Sequence, residues 1–267
     1  KRMIYADNAA TTKLDADAFE AMKPYLTEKY GNASQPYFFA KPAKKAIAAA
    51  RETIAACIGA EPGEIFFTSG GTESDNWAVK SAFYSKNGRN HVIRSKIEHH
   101  AVLNACLSLE EMSLPVSFLP VNKYGIVQPE TLRNAVKDET ALVSVMLANN
   151  EIGSIEPVQG LSVIAHECGA LFHTDAVQAV GHIPIDVKKL GVDMLSASAH
   201  KFNGMKGSGF LYIRKGVEIH PYLDGGAQEH GQRAGTENVA AIVAMAAALK
   251  KNCEKMTITA EKLRSLE

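Results

Sequence analysis

The chain has 267 residues, of which 46% are hydrophobic and 22% charged, so it is long and apolar enough to bury a sizeable core. Its 29 lysines and arginines balance 29 aspartates and glutamates, which gives none of the net basic charge typical of nucleic-acid-binding proteins. The longest apolar run, residues 239–249, is shorter than the ~20 residues that a membrane-spanning helix needs. No leader-like pattern opens the chain, so we expect a cytoplasmic globular protein that binds neither membranes nor nucleic acids.

The cysteines stand too far apart to form a CxxC motif, at positions 57, 106, 168 and 253. Each lies on an apolar helical stripe, and Cys57 continues a stripe that includes Ala43, Ile47 and Ile54. This spacing predicts reduced, buried cysteines, as cytosolic proteins have.

Strand-like runs alternate with helical patterns along most of the chain. The predicted strands are residues 64–68, 91–94, 116–121, 142–147, 170–173, 194–198 and 210–213. The predicted helices are residues 73–84, 101–111, 129–136 and 158–168, with a further helix from residue 237 onward. This alternation predicts one large α/β domain with a mostly parallel sheet covered by helices on both faces.

The last predicted helix carries an apolar stripe to the end of the sequence. Its members are Leu249, Cys253, Met256, Ala260 and Leu263, and no glycine or asparagine cap follows them. The sequence also begins with Lys1 rather than methionine. We therefore expect a fragment or a processed piece, whose apolar helix face packs against further sequence or a second chain.

The segment Thr68-Ser69-Gly70-Gly71-Thr72 joins a predicted strand to a predicted helix. Backbone N–H groups and a hydroxyl at the positive N-terminus of a helix suit a phosphate group. A Ser or Thr before a helix is also an ordinary cap, so this segment alone leaves both interpretations open.

Two further predicted strands are followed by residues able to do chemistry. Asp175 lies where parallel sheets bind ligands, although it is equally placed to cap a following helix. Lys201 follows an apolar strand, where burial would make its amine nucleophilic, unless the side chain extends into solvent. A phosphate cradle, an acid for a ring nitrogen and a lysine for a Schiff base are together what a pyridoxal phosphate enzyme needs.

These segments resemble those of the NifS/IscS-type cysteine desulfurases, a group within the class V aminotransferase family of fold-type I pyridoxal phosphate enzymes. The matching segments are YADNAATT at 5–12, TSGGTESDN at 68–76, IEHHAV at 97–102, NNEIG at 149–153, HTDAVQ at 173–178, SASAHKFNGMKG at 196–207 and QRAGTEN at 232–238. The resemblance implies a three-layer large domain over residues 15–250 that binds the cofactor. It also implies that residues 1–14 pack with a small C-terminal domain, that this domain is largely missing, and that residues 251–267 begin the helix leading to it.

The resemblance gives the central residues specific roles. It implies that Lys201 holds pyridoxal 5'-phosphate through a Schiff base and moves protons at the substrate Cα. Asp175 would pair with the pyridine nitrogen, and Gln178 would hydrogen-bond the phenolic oxygen of the ring. His99 would stack on the ring and shuttle protons, although it is also placed to cap a helix.

The remaining implied contacts involve the phosphate and the substrate. The phosphate shell would consist of Gly71, Thr72, Ser198 and His200. Thr236 would reach the phosphate of the neighbouring subunit, which implies a homodimer with shared sites. Asn150 would face the cofactor and the substrate carboxylate, with an ordinary turn residue as the alternative.

The activity that the resemblance implies is the conversion of L-cysteine to L-alanine, with sulfur transfer through an enzyme persulfide. A sulfur-acceptor or scaffold protein would then pass the sulfur to iron–sulfur cluster or thiolated tRNA synthesis. The family's catalytic cysteine and carboxylate-binding arginine lie in a C-terminal region that this sequence does not contain. We therefore assign no cysteine as the nucleophile and expect cofactor binding without persulfide formation. Residues 31–36 also depart from the family pattern. This difference affects the expected geometry of the entrance to the active site and not the cofactor site.

Other functions remain open. Another class V enzyme, an aminotransferase or a selenocysteine lyase, would use the same cofactor for a different product. A catalytically silent scaffold, or a fragment that pairs with a second polypeptide, belongs to a different class of protein. A metal site is not predicted, because the adjacent His99 and His100 point apart on a helix and no HExxH spacing occurs.

Overall fold

The computed structural model describes residues 4–84 and 88–266. Within these ranges the helices are α1 (Ala16–Met22), α2 (Pro24–Thr27), α3 (Lys41–Ile58), α4 (Gly71–Lys80), α5 (His100–Glu111), α6 (Pro129–Ala135), α7 (Val158–Glu167), α8 (Val187–Leu190) and α9 (Val239–Arg264). The strands are β1 (Ile65–Thr68), β2 (His91–Ser95), β3 (Val116–Leu119), β4 (Thr140–Ser144), β5 (Leu171–Asp175), β6 (Met194–Ser198) and β7 (Gly209–Ile213). Residues 1–3 and 267 lie outside the described residues. The expectations about the two chain ends depend partly on these residues.

The strands form a single mixed sheet in the order β1-β7-β6-β5-β4-β2-β3. Strand β7 runs antiparallel to both of its neighbours, and the other neighbouring pairs are parallel. All strands except β7 therefore point the same way, and their carboxyl ends share one edge. The turns that follow β1, β2, β4, β5 and β6 converge there, as they do at ligand sites of open α/β sheets.

Side chains of the buried strands alternate between two apolar clusters, one on each face of the sheet. Phe67 packs in the cluster that includes Ile54 of α3 and Leu249 of α9, whereas its neighbour Phe66 packs with Trp77 of α4. Successive side chains of a strand point to opposite faces, so a sheet covered on both sides needs apolar residues at nearly every position. The predicted three-layer α/β fold with a mostly parallel sheet is confirmed.

Several predicted boundaries are wrong by a few residues. The strand predicted at 142–147 is Thr140–Ser144, and the apolar residues that follow it are buried in a loop rather than paired along the sheet. The strand predicted at 170–173 is Leu171–Asp175, which makes Asp175 its last residue. The helix predicted to begin at residue 73 begins at Gly71, which brings its N-terminus to the end of β1.

The first half of α9 is buried in the core against α3 and α1, and its apolar stripe leaves the core further on. Leu249 is fully buried, whereas Leu263 is 59% exposed. All four cysteines are free, but only Cys106 is fully buried; the others lie partly exposed at the edge of the core, so the expectation of uniform burial is wrong. None of the helices in the described ranges has the length and apolarity that a membrane span requires.

Candidate active site

A cavity of about 550 Å³ opens at the carboxyl edge of the sheet. It is lined by residues that follow β1, β2, β4, β5 and β6 and by the N-terminal segment. The predicted site residues that line it are Gly71, Thr72, His99, Asn150, Asp175, Gln178, Ser198, His200 and Lys201. Sequence positions far apart in the chain therefore meet in one place.

Thr236 is the predicted site residue that the structure does not bring to this cavity. It is exposed, in the loop before α9. Its predicted contact is with a neighbouring subunit, so its role stays a prediction. The expectation that no metal is bound stays a prediction as well.

The N-terminus of α4 forms one wall of the cavity. Its cap residue is Gly70, with φ 149°, and no side chain accepts a hydrogen bond from the first turn. The interpretation of this segment as a Ser or Thr helix cap is therefore wrong. A Cβ on Gly71 would lie 2.6 Å from Cγ2 of Val177, so the close approach of this turn to the residues after β5 requires glycine. Uncapped N–H groups at a positive helix end suit an anion.

Lys201 ends the 3₁₀ turn Ala199–Lys201 that follows β6, and it lines the cavity. Its Nζ donates to the carbonyl oxygens of Ala10, at 3.0 Å, and of Ala9. Burial lowers the pKa of the amine, and the charges of Asp175 and Asp7 oppose that shift. The alternative of a lysine extending freely into solvent is wrong.

The N-terminal segment is held over Lys201 by contacts with the turn that carries it. Thr12 donates its backbone N–H to the carbonyl of His200 at 2.9 Å, and the Thr11 hydroxyl lies 3.0 Å from His200 Nδ1. The Gln178 side-chain amide donates to the carbonyl of Ala9 at 3.0 Å. These bonds make residues 9–12 part of the cavity wall.

Asp175 is the last residue of β5 and is 4% exposed. Its Oδ1 accepts the N–H of Val177 at 2.9 Å. No α-helix begins before α8 in this part of the described chain, so the interpretation of Asp175 as a helix cap is wrong, and it stabilises a turn instead. Burial raises the pKa of Asp175, while the Val177 N–H, the nearby His99 ring and the charge of Lys201 oppose that shift.

Asp75 is a site residue that the sequence analysis missed. It lies one helical turn into α4, is 1% exposed and lines the cavity. One ligand atom from each of Asp75, Asp175 and His99 lies within 4.8 Å of the other two. The signal was present in the spacing of Gly71, Ser74, Asp75 and Ala78, which puts an acid on the buried face of a helix.

His99 combines the two roles that its sequence position left open. It is the N-cap of α5, and its Nδ1 accepts the N–H of Ala101 at 3.1 Å. The ring also lines the cavity. Because Nδ1 is an acceptor, Nε2 carries the proton of the neutral ring.

Two further buried groups that the sequence analysis missed lie close to the two aspartates. His173 of β5 is hydrogen-bonded through Nδ1 to Ser144 at 2.8 Å and through Nε2 to Ser196 at 3.0 Å, and burial lowers its pKa to about 3. Glu98 accepts the Ser95 hydroxyl at 2.5 Å and the Met146 N–H at 3.0 Å.

Oε2 of Glu98 is buried without a hydrogen-bond partner among the described residues, and burial raises the pKa of this carboxyl to about 8. The two groups beneath the cavity are therefore a neutral histidine and a carboxyl whose protonated form is favoured by burial.

Asn150 lies on the loop after β4 and is partly exposed to the cavity. The turn itself is made by its neighbour Asn149, whose Oδ1 accepts the N–H groups of Glu151, at 2.8 Å, and Ile152, at 3.0 Å. Asn150 lies within this turn, as the turn-residue alternative expected, and it also lines the cavity.

The loop that carries the QRAGTEN segment is fixed against α4. Arg233 donates through Nε and Nη2 to the two carboxylate oxygens of Glu73, at 2.6 and 3.0 Å. Glu73 also accepts the N–H of Ser69 at 2.9 Å, so one carboxylate links this loop to the turn between β1 and α4. Such bidentate pairs fix geometry as well as adding energy.

Comparison with known proteins defines the class. The chain belongs to the aminotransferase class-V family, whose profile matches residues 4–265. A cysteine desulfurase IscS from Methanosarcina thermophila is 56% identical over 245 residues, which are 91% of this chain and 61% of that protein. The chain therefore spans about three-fifths of the length of this relative.

Solved structures agree with the family assignment. A NifS-like protein superposes with a TM-score of 0.95 at 43% identity, covering 99% of this chain and 74% of that one. A structure described as SspA in complex with cysteine superposes with a TM-score of 0.90 at 38% identity, covering 93% of this chain and 72% of the other. The resemblance to NifS/IscS-type desulfurases is confirmed.

Proposed function

We propose that this chain provides the cofactor-binding part of a pyridoxal phosphate-dependent cysteine desulfurase. The observation that carries the proposal is one cavity that holds the amine of Lys201, the buried carboxyl of Asp175 and the uncapped N-terminus of α4. The names of the relatives, cysteine desulfurase and NifS-like protein, support the same activity. The reaction would convert L-cysteine to L-alanine and pass the sulfur on for iron–sulfur cluster or thiolated tRNA synthesis.

The residues of the cavity fit pyridoxal 5'-phosphate. Its volume of about 550 Å³ lies within the roughly 300–1,000 Å³ of small-molecule sites. The glycine turn before α4, with Thr72, Ser198 and His200, would hold the phosphate. Asp175 would pair with the ring nitrogen, and Gln178 would bond the phenolic oxygen. When bound, the cofactor draws electrons from the substrate Cα.

The protein's own groups would manage protons and orientation. Lys201, whose pKa is lowered by burial, would move the proton at the substrate Cα. His99 would cover one face of the ring and hold a proton on Nε2. Asn150 would orient the substrate carboxylate, and residues 9–12 would keep water away from the amine.

The remaining features of the activity are part of the same proposal. We assign the cofactor-binding domain to residues 15–250, with 1–14 and 251–267 contributing to the packing of a small domain. Thr236 would reach the second site of a cytoplasmic homodimer, and a sulfur-acceptor protein would take the product. None of the four cysteines lines the cavity, so we propose that the thiol which attacks the substrate sulfur is not among them.

Absorbance spectroscopy tests the cofactor assignment. We expect added pyridoxal phosphate to give a yellow protein whose visible band disappears on borohydride reduction, with the added mass fixed to Lys201. Lys201→Ala should abolish the fixed mass. Lys206→Ala is the matched control, because Lys206 belongs to the same segment, is exposed and does not line the cavity. A protein that stays colourless would contradict the proposal.

Product analysis tests the reaction. In the full-length protein, alanine and sulfide in equal amounts from L-cysteine and a reducing thiol would support a desulfurase. Keto acid formation would indicate an aminotransferase instead. Cofactor binding with neither product would favour a scaffold, or a chain that needs a second polypeptide.

A further inference from the structure

The buried carboxyl of Asp75 has no task in the function proposed above. It is 1% exposed and lies beside Asp175, with an oxygen of each carboxyl within 4.8 Å of an oxygen of the other. Two carboxyl oxygens can share a hydrogen bond only when one of the groups carries a proton. Each charge also raises the cost of ionising the other, because both groups are removed from water.

The surroundings decide which of the two carboxyls keeps the proton. Asp175 accepts the N–H of Val177 at 2.9 Å and faces the positive charge of Lys201 across the cavity. Asp75 has one oxygen, Oδ1, with no hydrogen-bond partner, and its close ring neighbour is His173 Nε2 at 3.6 Å. His173 is neutral, so it offers Asp75 no charge to pair with.

Other charged or titratable groups around the pair act in the same direction. Glu98, from the loop after β2, is a further buried carboxyl whose pKa burial raises to about 8, so it offers Asp75 no positive charge to pair with. His99 stabilises the charge of Asp175 from the other side. The surroundings of Asp75 and Asp175 therefore favour one negative charge on the pair, and they favour its location on Asp175.

We propose that Asp75 is a positioning residue: its carboxyl stays protonated, donates a hydrogen bond to Asp175, and so keeps Asp175 ionised for the ring nitrogen of the cofactor. This inference rests on the proposed function. It assigns to the TSGGTESDN segment a second purpose, besides the phosphate turn. It also explains why a buried helix face carries an acid with no cationic partner.

A pair of substitutions separates hydrogen bonding from charge. Asp75→Asn cannot ionise but still donates a hydrogen bond, whereas Asp75→Leu has a similarly branched but larger side chain and no donor. The dissociation constant of each variant is measured for pyridoxal phosphate and for its analogue with carbon in place of the ring nitrogen. The analogue cannot use Asp175, so it reports any general damage to the cavity.

We expect Asp75→Asn to bind pyridoxal phosphate within about twofold of wild type. Asp75→Leu should bind it roughly tenfold or more weakly, the loss expected for a hydrogen bond to a charged group, with little change for the analogue. Equal weakening of both ligands would show a merely structural role and overturn the proposal. So would a loss in Asp75→Asn as large as that in Asp75→Leu.

Infrared spectroscopy provides a readout that needs no cofactor and no leucine variant. A protonated-carboxyl band that is present in the wild type and missing in Asp75→Asn would support the proposal, and unchanged spectra would overturn it. Failure of the wild type to bind pyridoxal phosphate would instead overturn the proposed function, and this inference with it.

Discussion

Two buried aspartates at opposite edges of the sheet have contrasting partners. Asp193, just before β6, is fully buried, accepts the Phe172 N–H at 2.6 Å and His166 Nε2 at 2.7 Å, and pairs with Arg214. Asp175, at the other end of β5, faces a second carboxyl and an open cavity. A buried carboxylate that has an arginine and several hydrogen-bond donors as partners stabilises the fold. A buried carboxylate that lacks such partners and faces a cavity is available to a ligand.

Removing Asp193 should have the largest effect on stability. Asp193→Ala leaves the buried Phe172 N–H without its acceptor and removes the partner of Arg214, whose side chain is 45% exposed, and we expect a loss of about 2–3 kcal/mol. Urea unfolding of the protein without cofactor measures it. Asp193→Asn keeps an acceptor for Phe172 and should lose less. A loss below about 1 kcal/mol in Asp193→Ala would contradict the comparison.

Buried acids near the cavity that have no cationic partner should make the free energy of unfolding fall as the pH rises. Burial raises the pKa of Glu98 to about 8, so above pH 6.5 the unfolded chain has released this proton while the folded chain retains it. The folded state then binds more protons, and the free energy of unfolding drops by about 1.4 kcal/mol per pH unit for such a group. Between pH 6.5 and 8 the drop is about 2 kcal/mol.

Glu98→Gln should remove this contribution, which unfolding at pH 6.5 and at pH 8 detects. The window starts at pH 6.5 because His173, whose pKa burial lowers to about 3, acts with the opposite sign below it. There the unfolded chain binds the extra proton, so stability rises with pH. Equal slopes for wild type and variant between pH 6.5 and 8 would show that Glu98 is ionised when folded.

Asp175→Asn should separate stability from binding. The amide still accepts the Val177 N–H and removes a buried charge, so we expect the free energy of unfolding without cofactor to change by less than about 1 kcal/mol. Affinity for pyridoxal phosphate should fall at least about tenfold. A loss of stability as large as that of Asp193→Ala would mean that both edges of the sheet are merely structural.

The sequence was sufficient to locate most of the cavity. Asp175 and Lys201 stand directly after apolar strands, and the order of parallel strands brings such positions to one edge. The capping alternatives could not be resolved from sequence, because capping depends on where a helix begins, and α4 begins at Gly71.

The missed residues are those whose role depends on contacts between distant segments. Glu98 is an acid in a largely polar stretch, which periodicity places at the surface. Asp75 shares a helix face with Gly71, Ser74 and Ala78, but that face has no large apolar residue to mark it as buried. Asp75 is buried because α4 packs against β5 and β6, and Glu98 is buried where it accepts the Met146 N–H of the loop after β4. The end of β4 was likewise predicted too late, because its apolar residues continue into a buried loop.

The smallest expected effect concerns the ion pair of Glu73 and Arg233. This pair is more exposed than Asp193 and less exposed than ion pairs on the surface. Their side chains are 11% and 21% exposed, whereas those of the surface pair Glu167 and Arg133 are 55% and 53% exposed. Glu73→Gln should lower the free energy of unfolding by about 1 kcal/mol, because a neutral amide replaces the carboxylate that pairs with Arg233 in two hydrogen bonds. Glu167→Gln is the matched control and should cost almost nothing.

The pH dependence of this pair should be opposite in sign to that of Glu98. Burial raises the pKa of Glu73, but hydrogen bonds from Arg233 and Ser69 lower it further, to a net value below the ordinary one. Its contribution is therefore complete above the pKa of the unfolded carboxyl and is lost as the pH falls through the folded value. The difference between wild type and Glu73→Gln should shrink in acid, and a difference that grows there would show that Arg233 does not hold this carboxylate ionised.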